Sequence, residues 1–454
     1  MAQEKKEKLT YEDLKLPTYV NNRKVLYNLT ASDLAIAAVL GNINLFLIGT
    51  PGCGKSQLAM DIHRHYFGGN IANGGNGMLQ RVDMNTNIYK DIFTEVDPAK
   101  LKRVLIDKNA DALSFFMDEI NRVPGPLQNQ FFPLGDNAIA YLGQPERKLG
   151  KDGYSILMAT ANIGNGDLPG TFPIDSGLFS RLHAAINFDN PRYKPTIRDE
   201  IDIDVIREID PNVKFCPIRD ISDLLRTANK EVKEIVKNPG LEALAAVNYL
   251  RFGLRNCMLE KEKPEYWPRN CPPDKCKHNK EEDSLCSLIK APQRRDTNAL
   301  IQYAGALQFL AKLKDPKIDI DFAELVFEAF KITGSYKYLF NPNLLNTKYC
   351  GSVIKMGGEV VDGLKEDFRK NEDMIVTALE GLEEGERADV FYKDKKGNVC
   401  LPDGLTEKAK KQLEKLDPFN NNRHMGLGWM KDFVDAHLKL RKAKEEQEKK
   451  DSKE

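Results

Sequence analysis

The sequence predicts an α/β protein, with a three-layer core around a parallel sheet, then a helical region and a C-terminal extension. Three observations carry that prediction. Short apolar runs alternate with helical stretches over residues 26–190. The first of the central runs opens directly into a glycine-rich loop. Beyond residue 191 the alternation gives way to helical periodicity.

Taken in order, residues 1–25 read as an N-terminal arm. The expected strands are Leu45–Ile48, Leu79–Val82, Leu113–Met117, Ser155–Ala159 and Ala184–Phe188, with Gly68-Gly69-Asn70 and Gly74-Gly75-Asn76-Gly77 marking a flexible loop between the first two. Residues 191–345 form the helical region, seen best in Leu241–Leu259 and Thr297–Leu313. Residues 346–454 form the extension, with a hairpin-like segment around Lys395-Lys396-Gly397-Asn398 and a charge-rich tail, Lys439–Glu454, that reads as a solvated helix. No internal repeat is present.

Composition narrows the function classes. Lysine plus arginine equals aspartate plus glutamate, 67 each, so no global basic field steers nucleic acid to the chain. No apolar run approaches a membrane span, and the charged start Met-Ala-Gln-Glu-Lys-Lys-Glu-Lys lacks an apolar signal region, so the expected location is cytoplasmic. Eight cysteines in 454 residues do not suggest a secreted disulfide scaffold.

The most specific stretch is Gly49-Thr50-Pro51-Gly52-Cys53-Gly54-Lys55-Ser56, directly after Leu45-Phe46-Leu47-Ile48. Its pattern is G-x-x-x-x-G-K-S between a strand and a helix, a phosphate-binding loop. The glycines let successive N–H groups turn toward phosphate oxygens, and the helix from Lys55 places its positive dipole end on the same anion. Lys55 adds a full charge at the β/γ-phosphates, and the Ser56 hydroxyl is placed for Mg²⁺. Cys53 reads as a spacer offering its backbone N–H, and the expected nucleotide contacts run from Gly49 through Gln57. A second run, Leu113-Ser114-Phe115-Phe116-Met117, ends in Asp118-Glu119. Asp118 at the strand tip suits the Mg²⁺ shell opposite Ser56, and Glu119 suits orientation of the attacking water.

Across residues 26–345 the chain resembles the MoxR-like branch of the AAA+ ATPases. The resemblance rests first on Asp118-Glu119-Ile120-Asn121-Arg122, with Pro124 and Gln128 continuing the pattern. Ala138-Ile139-Ala140-Tyr141-Leu142-Gly143 resembles the hairpin that this branch inserts in its second helix. Ile156-Leu157-Met158-Ala159-Thr160-Ala161-Asn162 resembles the sensor 1 strand, which implies that Asn162 positions the lytic water. Asp175-Ser176-Gly177-Leu178-Phe179-Ser180-Arg181-Leu182 resembles the segment bearing the arginine finger, implying that Arg181 acts on a neighbouring subunit's nucleotide, with Leu182 where the family often has Phe. For sensor 2, Arg219 and the pair Arg294-Arg295 compete. Arg295, followed by Ala299-Leu300-Ile301, Ala304 and Ala306-Leu307, keeps the family register better.

Four cysteines fall outside that resemblance. Cys257, Cys271, Cys276 and Cys286, with His278 between the last two, lie in a proline-rich, charged segment within an insertion over 257–290. Four soft ligands with little apolar sequence around them suit a structural Zn²⁺ site or an iron–sulfur cluster, although the spacings differ from the common C-x₂₋₄-C pairs. Cys216, Cys350 and Cys400 are isolated.

The sequence therefore leads to a P-loop AAA+ core with a helical lid. The MoxR-like resemblance implies a homo-oligomeric, hexameric ring that hydrolyses ATP with Mg²⁺ and remodels or matures a client protein complex. The resemblance also implies a von Willebrand factor A-domain partner. A nucleic-acid motor is the rival among enzymes, disfavoured by the neutral charge and the lack of a nucleic-acid module. A nucleotide-gated assembly protein with little turnover is the rival among non-enzymes, disfavoured by Glu119, Asn162 and Arg181.

Overall fold

A computed structural model describes residues 8–97, 102–105, 107–139, 146–162, 171–207, 212–237, 239–252, 288–334, 339–380, 392–393 and 399–400. The chain divides into two compact units. The first comprises Met1–Asn238, Asn298–Ile320 and Ile332–Lys337, and the second Pro239–Thr297, Asp321–Lys331 and Tyr338–Glu454.

The first unit is organised by five parallel strands: β1 (Leu45–Gly49), β2 (Gly77–Arg81), β3 (Ser114–Asp118), β4 (Ile156–Asn162) and β5 (Ala184–Asn187), in the order β5-β1-β4-β3-β2. All five expected strands join this one sheet, each shifted by no more than two or three residues. Phe46 lies opposite both Ala159 and Ala185, and Phe116 opposite both Met158 and Leu79. Every residue of β1 and β3 is buried. Strands buried on both faces lose the alternation of an exposed sheet, which explains the continuous apolar runs. On one face Phe46, Ile48, Phe115, Met117, Leu157 and Ala159 pack with Ile120, Phe131, Leu134, Phe179 and Leu182. On the other, helix α2 (Lys55–Phe67) sets the His63 ring 6.4 Å from Phe116.

Helix α1 (Ala31–Leu40) opens with a capping box in which the Thr30 hydroxyl and the Asp33 carboxylate satisfy each other's backbone N–H. It is buried along nearly its whole length. Asn229 of α4 (Ser222–Lys237), which follows α3 (Ile197–Arg207) along the chain, donates to the Leu40 carbonyl. Within the same unit, the part of α6 from Asn298 to Lys314 donates the Tyr303 hydroxyl to the Leu34 carbonyl and pairs Lys314 with Asp33 at 2.9 Å. Helix α6 as a whole runs Arg294–Lys314.

The second unit holds helix α5 (Leu241–Phe252), most of α7 (Phe322–Thr333) and α8 (Val353–Glu380). The rings of Tyr249, Phe327 and Phe368 stack edge to face or tilted, with centroids 5.3–6.2 Å apart, and the Tyr249 hydroxyl donates to Asp367 at 2.6 Å. Tyr392–Lys393 and Val399–Cys400 pair antiparallel on either side of the expected hairpin position. Among the described residues no helix is long and apolar enough to cross a membrane.

Candidate nucleotide site

The site forms where the carboxyl ends of β1, β3 and β4 come together. Gly49, Gly52 and Gly54 all have positive φ, and Gly54, at φ 91°, is the left-handed cap from which α2 starts. A side chain at Gly54 would be strained there and would also crowd the Tyr19 ring, 3.3 Å away. Lys55 is 5% exposed, and its ammonium donates to the Gly49 and Thr50 carbonyls at 3.0 and 2.8 Å. Thr50 is tied through its N–H and hydroxyl to Asp189, just beyond β5. The loop is therefore fixed at both ends before any ligand contact is considered.

Beneath the loop, Ser56 donates to Asp118 Oδ1 at 3.0 Å. Thr160, one residue past the Ala159–Met117 register pair, donates to the same Oδ1 at 2.6 Å and accepts from the Glu119 N–H at 2.9 Å. Glu119 adopts a left-handed backbone, φ 58° and ψ 47°, which turns the chain out of β3 into the one-turn helix Ile120–Arg122. Such a conformation is uncommon for a non-glycine residue and tends to concentrate at functional sites. The Glu119 carboxylate accepts from Asn162 Nδ2 at 3.0 Å and from Arg122 at 2.6 and 3.3 Å. Asn121, 3% exposed, donates to the Asn162 carbonyl and so braces the end of β4. Arg81 lies 3.9 Å from Asp118 but is 88% exposed, a distance and exposure at which a pair adds little.

Ser56 and Asp118 offer a hydroxyl and a carboxylate on adjacent elements, an oxygen donor set suited to a hard divalent cation. Gly49 to Ser56 offer a lysine and a tight, N–H-rich turn at a helix start, suited to polyphosphate. The residues present fit a nucleotide with Mg²⁺.

Next to the loop lies a cavity of about 400 Å³. Its walls are Thr18, Tyr19 and Val20 from the N-terminal arm, Thr50–Gly54 from the loop, Gln57 of α2, Phe188 and Asp189, Tyr193–Pro195, and Glu200 and Ile203 of α3. The Tyr19 ring meets Phe188 edge to face at 6.4 Å. Asp61 of α2, 0% exposed, accepts from the Thr18 N–H at 3.0 Å, the Thr18 hydroxyl, the Tyr19 N–H at 2.9 Å and Gln57 at 3.0 Å. Burial pushes the Asp61 carboxyl above its ordinary range, and the bonds from Thr18, Gln57 and Tyr19 act against that rise. The Gln57 amide also brackets Lys214, donating to its carbonyl and accepting from its N–H. Thr18–Val20, Asp61, Thr160 and Asp189 were not singled out by the sequence. Only Thr160, a hydroxyl inside an apolar strand, left a visible cue.

The remaining expected residues fall elsewhere. Arg181, just past the short helix Ser176–Phe179, pairs with Asp136 at 2.7 Å, donates to the Gly177 carbonyl at 2.9 Å and lies 4.1 Å over the Phe132 ring. These contacts hold it within its own chain, apart from the Ser56–Asp118–Glu119–Asn162 array. Arg219 pairs with Asp13 at 2.5 Å and exchanges backbone bonds with Arg64 and Gly68, so it ties down the arm. Arg295 is exposed in the first turn of α6 and belongs to the second unit, whereas the loop belongs to the first. Ala138–Ile139 pairs antiparallel with Arg147–Lys148, and residues 140–145 between them lie outside the described residues. Cys257, Cys271, Cys276, Cys286 and His278 also lie outside them; among the described residues no group of three or more His, Cys, Asp or Glu side chains is placed to hold a metal ion.

The fold and this array define a P-loop nucleotide-binding domain. Residues 44–182 match the profile of the AAA domain, dynein-related subfamily, so the first unit carries an AAA-type core. That description is not the MoxR-like branch that the motifs resemble. Among solved structures, the chain is similar to a candidate ATPase from Cytophaga hutchinsonii at 13% identity and a TM-score of 0.49, over 74% of this chain and 87% of that one. A likeness at that level carries no functional inference. No curated protein matches the chain.

Proposed function

We propose that this chain is an Mg²⁺-dependent ATPase that works as a ring of copies and remodels a client protein. The observation that carries the hydrolytic reading is the hydrogen-bonded array Ser56–Asp118–Thr160–Glu119–Asn162 at the sheet's carboxyl edge. Lys55 would bind the β/γ-phosphates, while Ser56 and Asp118 would hold Mg²⁺, whose chemistry there would be charge neutralisation on the phosphates. Glu119 polarises the attacking water, and Asn162 orients Glu119 and that water. The 400 Å³ cavity beside the loop takes the base and ribose.

Ring assembly, with Arg181 released from Asp136 to meet a neighbour's nucleotide, Arg295 as sensor 2, and client remodelling with a von Willebrand factor A-domain partner all rest on the MoxR-like resemblance. Zinc or an iron–sulfur cluster at Cys257, Cys271, Cys276 and Cys286 rests on the sequence alone; elemental analysis of anaerobically purified protein tests it.

The deciding experiment is phosphate release together with nucleotide titration. Lys55→Ala should weaken ATP binding, whereas Glu119→Gln should keep binding and lose about 10²-fold or more in turnover. Equal rates for wild type and both variants would sink the ATPase reading. A monomer with full, concentration-independent specific activity would remove the ring and Arg181 from the mechanism.

A further inference from the structure

We infer that Arg122 is a positioning residue for hydrolysis, acting through Glu119; this rests on the ATPase reading above. The geometry is asymmetric in a useful way. Arg122 Nε donates to Glu119 Oε2 at 2.6 Å, and its terminal nitrogen donates to Oε1 at 3.3 Å. Asn162 Nδ2 also donates to Oε1, at 3.0 Å. An ionised carboxylate has about four lone-pair sites, two on each oxygen. Oε1 is therefore filled from two sides, and Oε2 keeps one acceptor site. That single site is where a water O–H is accepted, so the two donors fix both the rotation of the carboxylate and the oxygen that faces the reaction.

Glu119 needs such a restraint. Its backbone is left-handed and its side chain is 37% exposed, so packing alone does not lock its rotamer. Arg122 is held in turn by the helix Ile120–Arg122, only three residues from Glu119, and its N–H donates to the Glu119 carbonyl at 2.9 Å. A guanidinium presents donors in a rigid fork, whereas a lysine ammonium offers one flexible point charge. The Glu119 carboxylate raises the Arg122 pKa further above its ordinary value, so the guanidinium stays charged throughout the working pH range. Arg122 donates to no substrate atom in this scheme. Its effect should appear in turnover and leave nucleotide affinity alone.

The test is steady-state ATP hydrolysis by full-length Arg122→Ala, Arg122→Lys, Glu119→Gln and the double variant Arg122→Ala/Glu119→Gln, with single-turnover assays for the slow ones. Arg122→Ala should lower kcat by about 10-fold or more and change KM less than about 3-fold, the pattern of a contact felt only in the chemical step. Arg122→Lys should recover part of the loss. In the Glu119→Gln background, Arg122→Ala should have less than about a 2-fold further effect, because both act on one carboxylate. A general structural defect would instead add its full loss in both backgrounds. Thermal melting of Arg122→Ala within a few degrees of wild type excludes misfolding, and Arg122→Lys carries the same test if the alanine variant fails to fold. Wild-type or higher kcat in Arg122→Ala, or full additivity with Glu119→Gln, would overturn the inference. Glu119→Gln turning over like wild type would instead overturn the ATPase reading itself.

Discussion

At the sheet edge around Glu119, each fixed side chain is held by a neighbour in the parallel sheet or in the loop that leaves it; in the cavity beside the loop, the arm side of the wall is anchored on one buried carboxylate. Asp118, Thr160 and Asn162 lie on adjacent strands, and Glu119 directly follows Asp118, so the sheet register brings the four side chains together. The arm residues Thr18 and Tyr19 are drawn to the cavity by Asp61, more than forty positions along the chain, which accepts both their N–H groups. Gln57 adds a tether to Lys214, a further 157 positions away. The contrast implies separable failures: damage at the sheet edge should remove turnover, and damage at Asp61 should remove affinity and local stability.

The largest expected effect is at Asp61. Asp61→Ala leaves two arm N–H groups and the Thr18 hydroxyl without their buried acceptor, and an unpaired buried polar group costs about 1–3 kcal/mol each. A total loss of about 3 kcal/mol in chemical denaturation is expected, with ATP affinity weakened about 10-fold because Tyr19 and Val20 lose their anchor. Turnover at saturating ATP should stay near wild type. If affinity is unchanged while stability falls, the arm is structural and the cavity beside it does not take the base.

Thr160→Val is the reciprocal test. The substitution keeps volume but removes the hydroxyl that donates to Asp118 and accepts from the Glu119 N–H. The buried groups left behind should cost about 1–2 kcal/mol, and turnover should fall about 10-fold with nucleotide affinity nearly unchanged. A variant that loses affinity as strongly as Asp61→Ala would show that the two regions are not independent.

The same contrast explains what was legible in the sequence. The loop Gly49–Ser56 is contiguous, because one turn must present several N–H groups to one anion, so its chemistry is spelled out in adjacent letters. β1 and β3 were legible because burial on both faces makes them unbroken apolar runs, whereas the edge strand β2 is only partly buried and its run is broken by Gln80 and Arg81. Asp118 and Glu119 could be read because they end such a run. Asp61 could not: four residues after Gln57 on a helix, it looks like a solvated acid until the arm is seen to cover it. Thr18–Val20 carry no motif, since a cavity wall needs shape more than a particular residue type. Arg181 was legible as a resemblance, yet its pairing with Asp136 and Phe132 depends on where the chain following β3 returns, which spacing alone does not reveal.

The smallest expected effect separates ring from hydroxyl at Tyr19. Its ring stands edge-on to Phe188 and over Gly54, so it shapes the cavity wall through its face, while burial raises the hydroxyl's pKa and keeps it protonated. Tyr19→Phe preserves the ring and should change ATP affinity less than about 2-fold, whereas Tyr19→Ala removes an aromatic contact worth about 0.5–1.5 kcal/mol beyond its buried area and should weaken binding several-fold. Both variants should keep the saturated turnover of wild type, since neither touches the array around Glu119. Isothermal titration with ATP and with a base-free triphosphate sharpens the result: the loss in Tyr19→Ala should vanish for the base-free ligand. Equal losses for both ligands would place Tyr19 as a brace for the Gly54 turn and give the base another wall of the cavity.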